Sequence, residues 1–220
     1  MCELRRGAGV VARVRWVKIF LAGASGVLGS RLTPMLIAAG CRVAGMTRSP
    51  EKAEMLAGLG AEPVVCDVFD AAGLEQAVRA YAPDLVMHQL TDLPDRAEDL
   101  AAGRAANARM RKEGTANLIA AAQAAGAKRF VAQSVAWEMS GEGQAAKEFL
   151  ESAVLGLGGV VLRYGQFYGA GTYYPEGAKL PDPPRIHVDE AAARTVLGLD
   201  LGSGIYALTE DGGSDFTPVN

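Results

Sequence analysis

Three features of the sequence predict an α/β fold with a doubly wound parallel sheet. Short β-rich apolar runs alternate with helix-period segments from residue 17 to residue 208. Three glycines at three-residue spacing, Gly23, Gly26 and Gly29, stand between the first apolar run and the first helical segment. A single Gly/Pro/Tyr-rich stretch, 165–184, interrupts the alternation near its end. Strands separated by helices pair in parallel and need both faces covered. Right-handed crossovers then favour the strand order 3-2-1-4-5-6, with ligand at the carboxyl ends of the strands.

The elements follow in order. Val17–Ala22 is a buried strand ending at Gly23. Residues 27–39 carry Leu28, Leu32, Met35, Leu36 and Ala39 at helical spacing, stopped by Gly40. Pro34 falls inside that helix and should bend or loosen it. Residues 41–46 form a second strand, and Ser49-Pro50-Glu51 opens a helix that runs through Leu59. Glu62–Cys66 is a third strand, and Asp70 caps a helix through Tyr81. Asp84–Leu90 is a fourth strand, followed by one long Ala-rich helix from about Glu98 to Ala125. Arg129–Ser134, Val160–Tyr164 and Ile205–Leu208 are further strands, with helices at Gln144–Leu155 and Asp189–Leu199.

The glycine triplet reads as a phosphate loop. The first glycine permits the tight turn, the second lets a pyrophosphate approach, and the third lets helix pack on strand. The helix amino terminus adds free N–H groups and a partial positive charge. The pattern is a variant of the dinucleotide fingerprint, and its strand–turn–helix setting gives it weight. Gly23, Ala24, Ser25, Gly26, Val27, Leu28 and Gly29 are therefore candidate cofactor contacts. An acidic residue after the second strand would select NAD. Thr47, Arg48 and Ser49 stand there instead, and Arg48 and Ser49 can hold a 2′-phosphate, so NADP(H) is favoured over NAD(H). Asp67 and Val68 end the third strand, where they either meet an adenine ring or form a turn. His88, Gln89 and Leu90 end the fourth strand and should line the cofactor groove, with His88 as a polar wall rather than a catalyst.

Composition narrows the field. The chain of 220 residues carries a formal net charge of -3, which gives no reason to expect nucleic acid or an anionic membrane. Three cysteines without a CxxC pair argue against a disulfide framework, and two distant histidines argue against a metal site. Cys41 and Cys66 are expected to be core thiols. Residues 1–16 read as a disordered leader, 17–164 as the dinucleotide-binding domain, and 165–220 as a reduced substrate lobe with the last helix and strand. A cytoplasmic protein is expected, acting on a small molecule.

These motifs resemble the extended short-chain dehydrogenase/reductase superfamily, in its NAD-dependent epimerase/dehydratase branch. The resemblance covers nearly all of residues 17–210. It rests on Gly23–Gly29, Asp67-Val68, Glu113-Gly114-Thr115-Ala116-Asn117-Leu118 and Phe130–Val135. Leu162-Arg163-Tyr164-Gly165-Gln166-Phe167-Tyr168-Gly169 and Ile186-His187-Val188-Asp189-Glu190-Ala191-Ala192 extend it. It implies a Rossmann-like fold, a nicotinamide cofactor and, by analogy, a homodimer paired through the long helix and the next one. It also implies a catalytic Ser, a Tyr, and a Lys four residues after the Tyr. Ser134 matches the Ser, which also borders the cofactor, and Lys147 matches the Lys or is an exposed residue of an amphipathic helix. Gly143 stands where the Tyr belongs, and no Tyr occurs between Tyr81 and Tyr164. Arg111 stands where many members carry Asn. Tyr164, Tyr168, Tyr173 and Tyr174 are the candidates to replace the missing acid/base, or Tyr164 and Tyr168 pack a strand end. Two functions stay open: an NADP(H)-dependent oxidoreductase or epimerase-like enzyme, and a non-catalytic NADP(H)-binding sensor.

Overall fold

In the computed structural model, which describes residues 17–212 and 216–219, the sheet is laid out from its first strand. The expected leader 1–16 lies outside the described residues. The strands are β1 (Lys18–Ala22), β2 (Arg42–Thr47), β3 (Glu62–Val65), β4 (Leu85–His88) and β5 (Arg129–Val135). They continue with β6 (Val160–Tyr164), β7 (Gln166–Tyr168), β8 (Arg185–His187), β9 (Gly204–Leu208) and β10 (Thr217–Pro218). The helices are α1 (Gly29–Ala38), α2 (Ala53–Gly58), α3 (Ala71–Tyr81), α4 (Arg104–Arg109), α5 (Thr115–Ala124), α6 (Gly141–Gly156) and α7 (Val188–Leu197).

β1 lies between β2 and β4, pairing in parallel with both. The order 3-2-1-4-5-6 holds, and β9 extends it as a seventh parallel strand beside β6. β10 closes that edge in antiparallel pairing. Alternate side chains of each strand feed two cores. Ile19, Leu21, Leu162 and Tyr164 pack with Leu32 and Leu36 of α1 and Ala191 of α7. Phe20, Val86, Phe130 and Val161 pack with Leu74 of α3, Leu118 of α5 and Leu150 of α6.

Four local departures from the sequence reading have physical causes. α1 starts at Gly29, because the residues before it form the loop, and it continues through Pro34. A proline removes only one donor, and the helix is anchored by Thr33 Oγ1 donating to Gly29 O at 2.9 Å. The expected single helix 98–125 is a short turn at Ala97–Asp99, then α4, a π-helical turn at Met110–Gly114, and α5. The stretch 165–184 holds a short strand at its start, β7, which pairs in parallel with β8 just beyond its end in a separate small sheet. Cys41 is buried as expected, whereas Cys66, on the edge side of the sheet, is only half-buried. Among the described residues no helix is long and apolar enough to cross a membrane.

Candidate functional site

The glycine loop is built for close backbone approach. Gly23 has φ +90°, and a methyl group there would lie 2.6 Å from the carbonyl oxygen of Gln89 at the end of β4. A methyl on Gly29 would lie 2.1 Å from Gly23 O, so these two glycines are fixed by the contact of loop, strand and helix. Gly26 and Val27 are exposed, and Ser25 is half-buried. Among the described backbone hydrogen bonds, none is donated by the N–H groups of Ser25, Val27 or Leu28. Leu28 precedes α1 as its N-cap residue and offers no side-chain cap. A turn with free N–H groups at a helix amino terminus fits a pyrophosphate. Ala24 is buried beneath the loop and so shapes it from below.

The end of β2 is tied to this loop. Ser25 Oγ donates to Thr47 Oγ1 at 3.0 Å, and Thr47 Oγ1 also accepts from Ser49 N. Arg48 is 59% exposed and pairs with Asp92 at 3.0 Å. Ser49 precedes a short turn with no side-chain cap bond, which leaves its hydroxyl free of that role. Asp67 caps its own turn, accepting from Phe69 N, and Val68 O accepts from Asn117 Nδ2 at 3.0 Å. The turn reading of Asp67 is thus realised in its geometry.

His88 is fully buried, so its side chain lies inside the protein rather than along the groove. Leu90 N donates to its Nδ1, which leaves the proton on Nε2, bonded to Thr115 Oγ1 at 2.9 Å. Burial and the nearby Arg111 cation push its pKa down to about 4. Gln89 is buried with neither amide atom hydrogen-bonded. Leu90 is half-buried at the strand end.

Ser134 and Lys147 lie on the α6 side of the sheet. Ser134 Oγ is 2.6 Å from Glu151 Oε1. Arg163 grips the same carboxylate with both Nε (2.9 Å) and its terminal nitrogen (2.6 Å). Burial disfavours the Glu151 anion, but Arg163 and Ser134 outweigh it and hold the carboxyl below its usual range. An ionised carboxylate can only accept, so Ser134 is the donor in this bond. Lys147 is only 2% exposed, which rules out the exposed-helix alternative. Its Nζ donates to Trp137 O at 3.1 Å and lies 3.6 Å from Glu138.

The structure does not bring Tyr164 to this group. Successive residues of β6 face opposite ways, so Arg163 reaches α6 while Tyr164 joins the core beneath α1 and α7. Its hydroxyl lies 2.6 Å from Thr195 Oγ1. Thr195 donates its own proton to Ala191 O, so Tyr164 must be the donor. Burial raises its phenol far above the ordinary value, beyond what the bond to Thr195 offsets. Tyr168 donates to Glu210 and Tyr173 to Pro94 O. Tyr174 alone among the loop tyrosines has no described hydroxyl bond.

The place of the missing tyrosine is vacant but bordered closely by Met139. A methyl on Gly143 would meet Met139 Cε at 3.1 Å. Met139 Sδ in turn lies 2.9 Å from a terminal nitrogen of Arg111, which the π-helical turn carries inward. Arg111, Glu151, Arg163 and Met139 were not singled out as site residues by sequence reasoning. Two signals could have found some of them. Glu151 falls four residues after Lys147, on the same helix face, and Arg163 interrupts an otherwise apolar strand. Nothing in the sequence marks Met139.

The lobe is fastened to the nucleotide side. Arg31 of α1 donates to Asp189 Oδ1 and to Ala170 O, both at 2.5 Å. Gly165 approaches the Arg185 backbone and Gly169 the His187 ring, each with 2.6 Å to a methyl that would replace hydrogen.

A family model of NAD(P)H-binding domains matches residues 23–154. A 3-diazoavenalumate denitrifying reductase of a Streptomyces species is 33% identical over 237 residues, covering 89% of this chain and 76% of that protein. A decarboxylating sterol-4-alpha-carboxylate 3-dehydrogenase of Dictyostelium discoideum is 33% identical over 82 residues, covering 37% of this chain and 24% of that one. Among solved structures, UDP-glucose 4-epimerase of Thermus thermophilus with NAD matches with TM-score 0.71 at 20% identity, covering 87% of this chain and 77% of that chain. The enzyme WbmG of Bordetella bronchiseptica with NAD matches with TM-score 0.69 at 20% identity, covering 95% and 76%. With its own strand order and glycine turn in agreement, this chain belongs to the family of NAD(P)H-binding domains, and it shares the fold of the NAD-bound epimerases.

Proposed function

We propose that this chain is an NADP(H)-preferring reductase whose substrate accepts hydride without a proton from the protein. The observation that carries it is the state of the hydroxyl groups. Gly143 replaces the tyrosine, Ser134 gives its proton to Glu151, and Tyr164 gives its proton to Thr195 on the other face. A carbonyl needs such a donor, because its oxygen gains charge as hydride arrives. An aromatic carbon bearing a diazonium group does not. One hydride enters, the C–N bond breaks with its electron pair leaving on nitrogen, and the products are the arene C–H and N2. The relative whose name describes denitrifying reduction of a diazo compound supports this substrate class.

The nucleotide, when bound, supplies the hydride. The free N–H groups of Ser25, Val27 and Leu28 would hold its pyrophosphate. Arg48 would leave Asp92 for a 2′-phosphate, and no carboxylate stands at Thr47, Arg48 or Ser49 to favour a free 2′-hydroxyl. Lys147, held by Trp137 O, would border the ribose.

The test incubates the full chain and NADPH with an aryl diazo acid and, separately, with a panel of ketones and aldehydes. The expected result is one N2 released per NADPH oxidised and no carbonyl turnover. Faster turnover of carbonyls than of the diazo acid would overturn the substrate class. Tight NADPH binding with no turnover on either would leave the sensor reading in its place.

A further inference from the structure

The buried cation beside the vacant tyrosine position makes no ion pair among the described residues. Arg111 is 7% exposed, yet among the described residues no carboxylate lies within ion-pair distance of it. Its described side-chain hydrogen bond goes to Met139 Sδ, a weak acceptor. A buried guanidinium is costly unless it is paired, and its planar fork is shaped for two oxygens. Three elements converge on it. The π-helical turn 110–114 carries it, Met139 follows β5, and His88 at the end of β4 feels its charge. Such turns recur at functional sites. The convergence lies at the carboxyl edge of the sheet, where ligands bind in this topology. Met139 also covers Gly143, so Arg111 and the vacant side-chain position are on either side of one flexible thioether.

We propose that Arg111 is the specificity-determining residue that binds a carboxylate of the substrate, with Met139 yielding its place on the guanidinium to the incoming oxygens. This assignment rests on the reading that a reducible substrate binds beside Ser134 and Lys147. It deepens that reading by naming an acidic aromatic compound as the ligand class. Glu151 acts on Arg111 only through space: Arg163 binds both its oxygens and Ser134 one of them, so it makes no ion pair with the Arg111 guanidinium.

The test is calorimetric titration of cinnamate and of cinnamamide into the NADPH-loaded chain, and into the chain alone. Cinnamate is expected to bind at least tenfold more tightly than the amide. Arg111→Gln should weaken cinnamate about thirtyfold while leaving cinnamamide and NADPH within twofold. Arg111→Lys keeps the charge without the fork, and should lose about tenfold for cinnamate with an unchanged melting temperature. It carries the test where the Gln variant does not fold. Equal affinity for acid and amide in the native chain would overturn the assignment. So would equal loss of both ligands in Arg111→Gln, or unchanged cinnamate binding in Arg111→Lys. If cinnamate binding depends on Arg111 but no diazo compound is reduced, the reductase reading fails and the carboxylate site stands.

Discussion

At the scale of single residues, two side chains give sharp expectations. Arg48 is mostly exposed and held by one surface ion pair, which is worth little in water. A 2′-phosphate offers it a stronger charge-assisted partner. Arg48→Ala should therefore weaken NADPH roughly tenfold or more and NADH by less than about twofold, read by fluorescence titration. Equal losses would defeat the NADP(H) preference. His88 is the second. The folded state holds it neutral down to about pH 4, whereas an unfolded histidine takes its proton near 6.5. Between those values the unfolded chain binds more protons, so stability falls as pH falls, by about 3 kcal/mol across the window. His88→Gln should flatten that slope in urea melts, and an unchanged slope would remove His88 as its source. The histidine was legible in the sequence as a polar wall at a strand end. Its complete burial was not, because that depends on Thr115 from a helix 27 positions away.

At the scale of elements, α6 carries more of the site than its sequence announces. The sequence predicts Lys147 from the family spacing, and its burial comes from packing that no local pattern encodes. Glu151 one turn later joins α6 to β5 through Ser134 and to β6 through Arg163. Removing one member of such a pair strands the other, so Glu151→Ala should destabilise the fold by about 3 kcal/mol or more, seen as a lower urea midpoint. Its folded pKa is depressed, so this stabilisation is present above the ordinary glutamate range and is lost as pH falls through the lower folded value. The opposite kind of element, the glycine loop, was legible almost whole. Its chemistry is backbone, and glycine spacing between strand and helix specifies backbone directly. The break of the long helix at 110–114 was not legible. An Ala-rich run is a good helix in either register, and the extra residue is chosen by what the helix packs against.

At the scale of the whole molecule, the strand order follows from alternation and crossover handedness, which is why six strands were placed correctly from sequence. The seventh and eighth were harder, since β9 and β10 depend on which edge the chain returns to. The segment 165–187 and the start of α7 after it are tied to the rest of the molecule in two ways. Arg31 reaches Asp189 and Ala170, and Tyr173 reaches Pro94 on the opposite loop. Tyr173→Phe cuts only the second tie. It should leave the melting temperature within about 4 °C, since one hydrogen bond contributes about 1 kcal/mol. It should also speed release of NADPH several-fold in stopped-flow displacement. Unchanged release would show that the loop pair does not cover the nucleotide.

Met139 links three positions. A side chain at position 143 would have its first carbon 3.1 Å from Met139 Cε, so it enters only as that flexible thioether shifts. Shortening Met139 alone strips Arg111 of its described partner and gains nothing in return. Ser134 stays committed to Glu151 through either change. Positions 111, 139 and 143 are therefore coupled through one thioether, so substitutions there are expected to act non-additively: a change at one alters what the other two can hold.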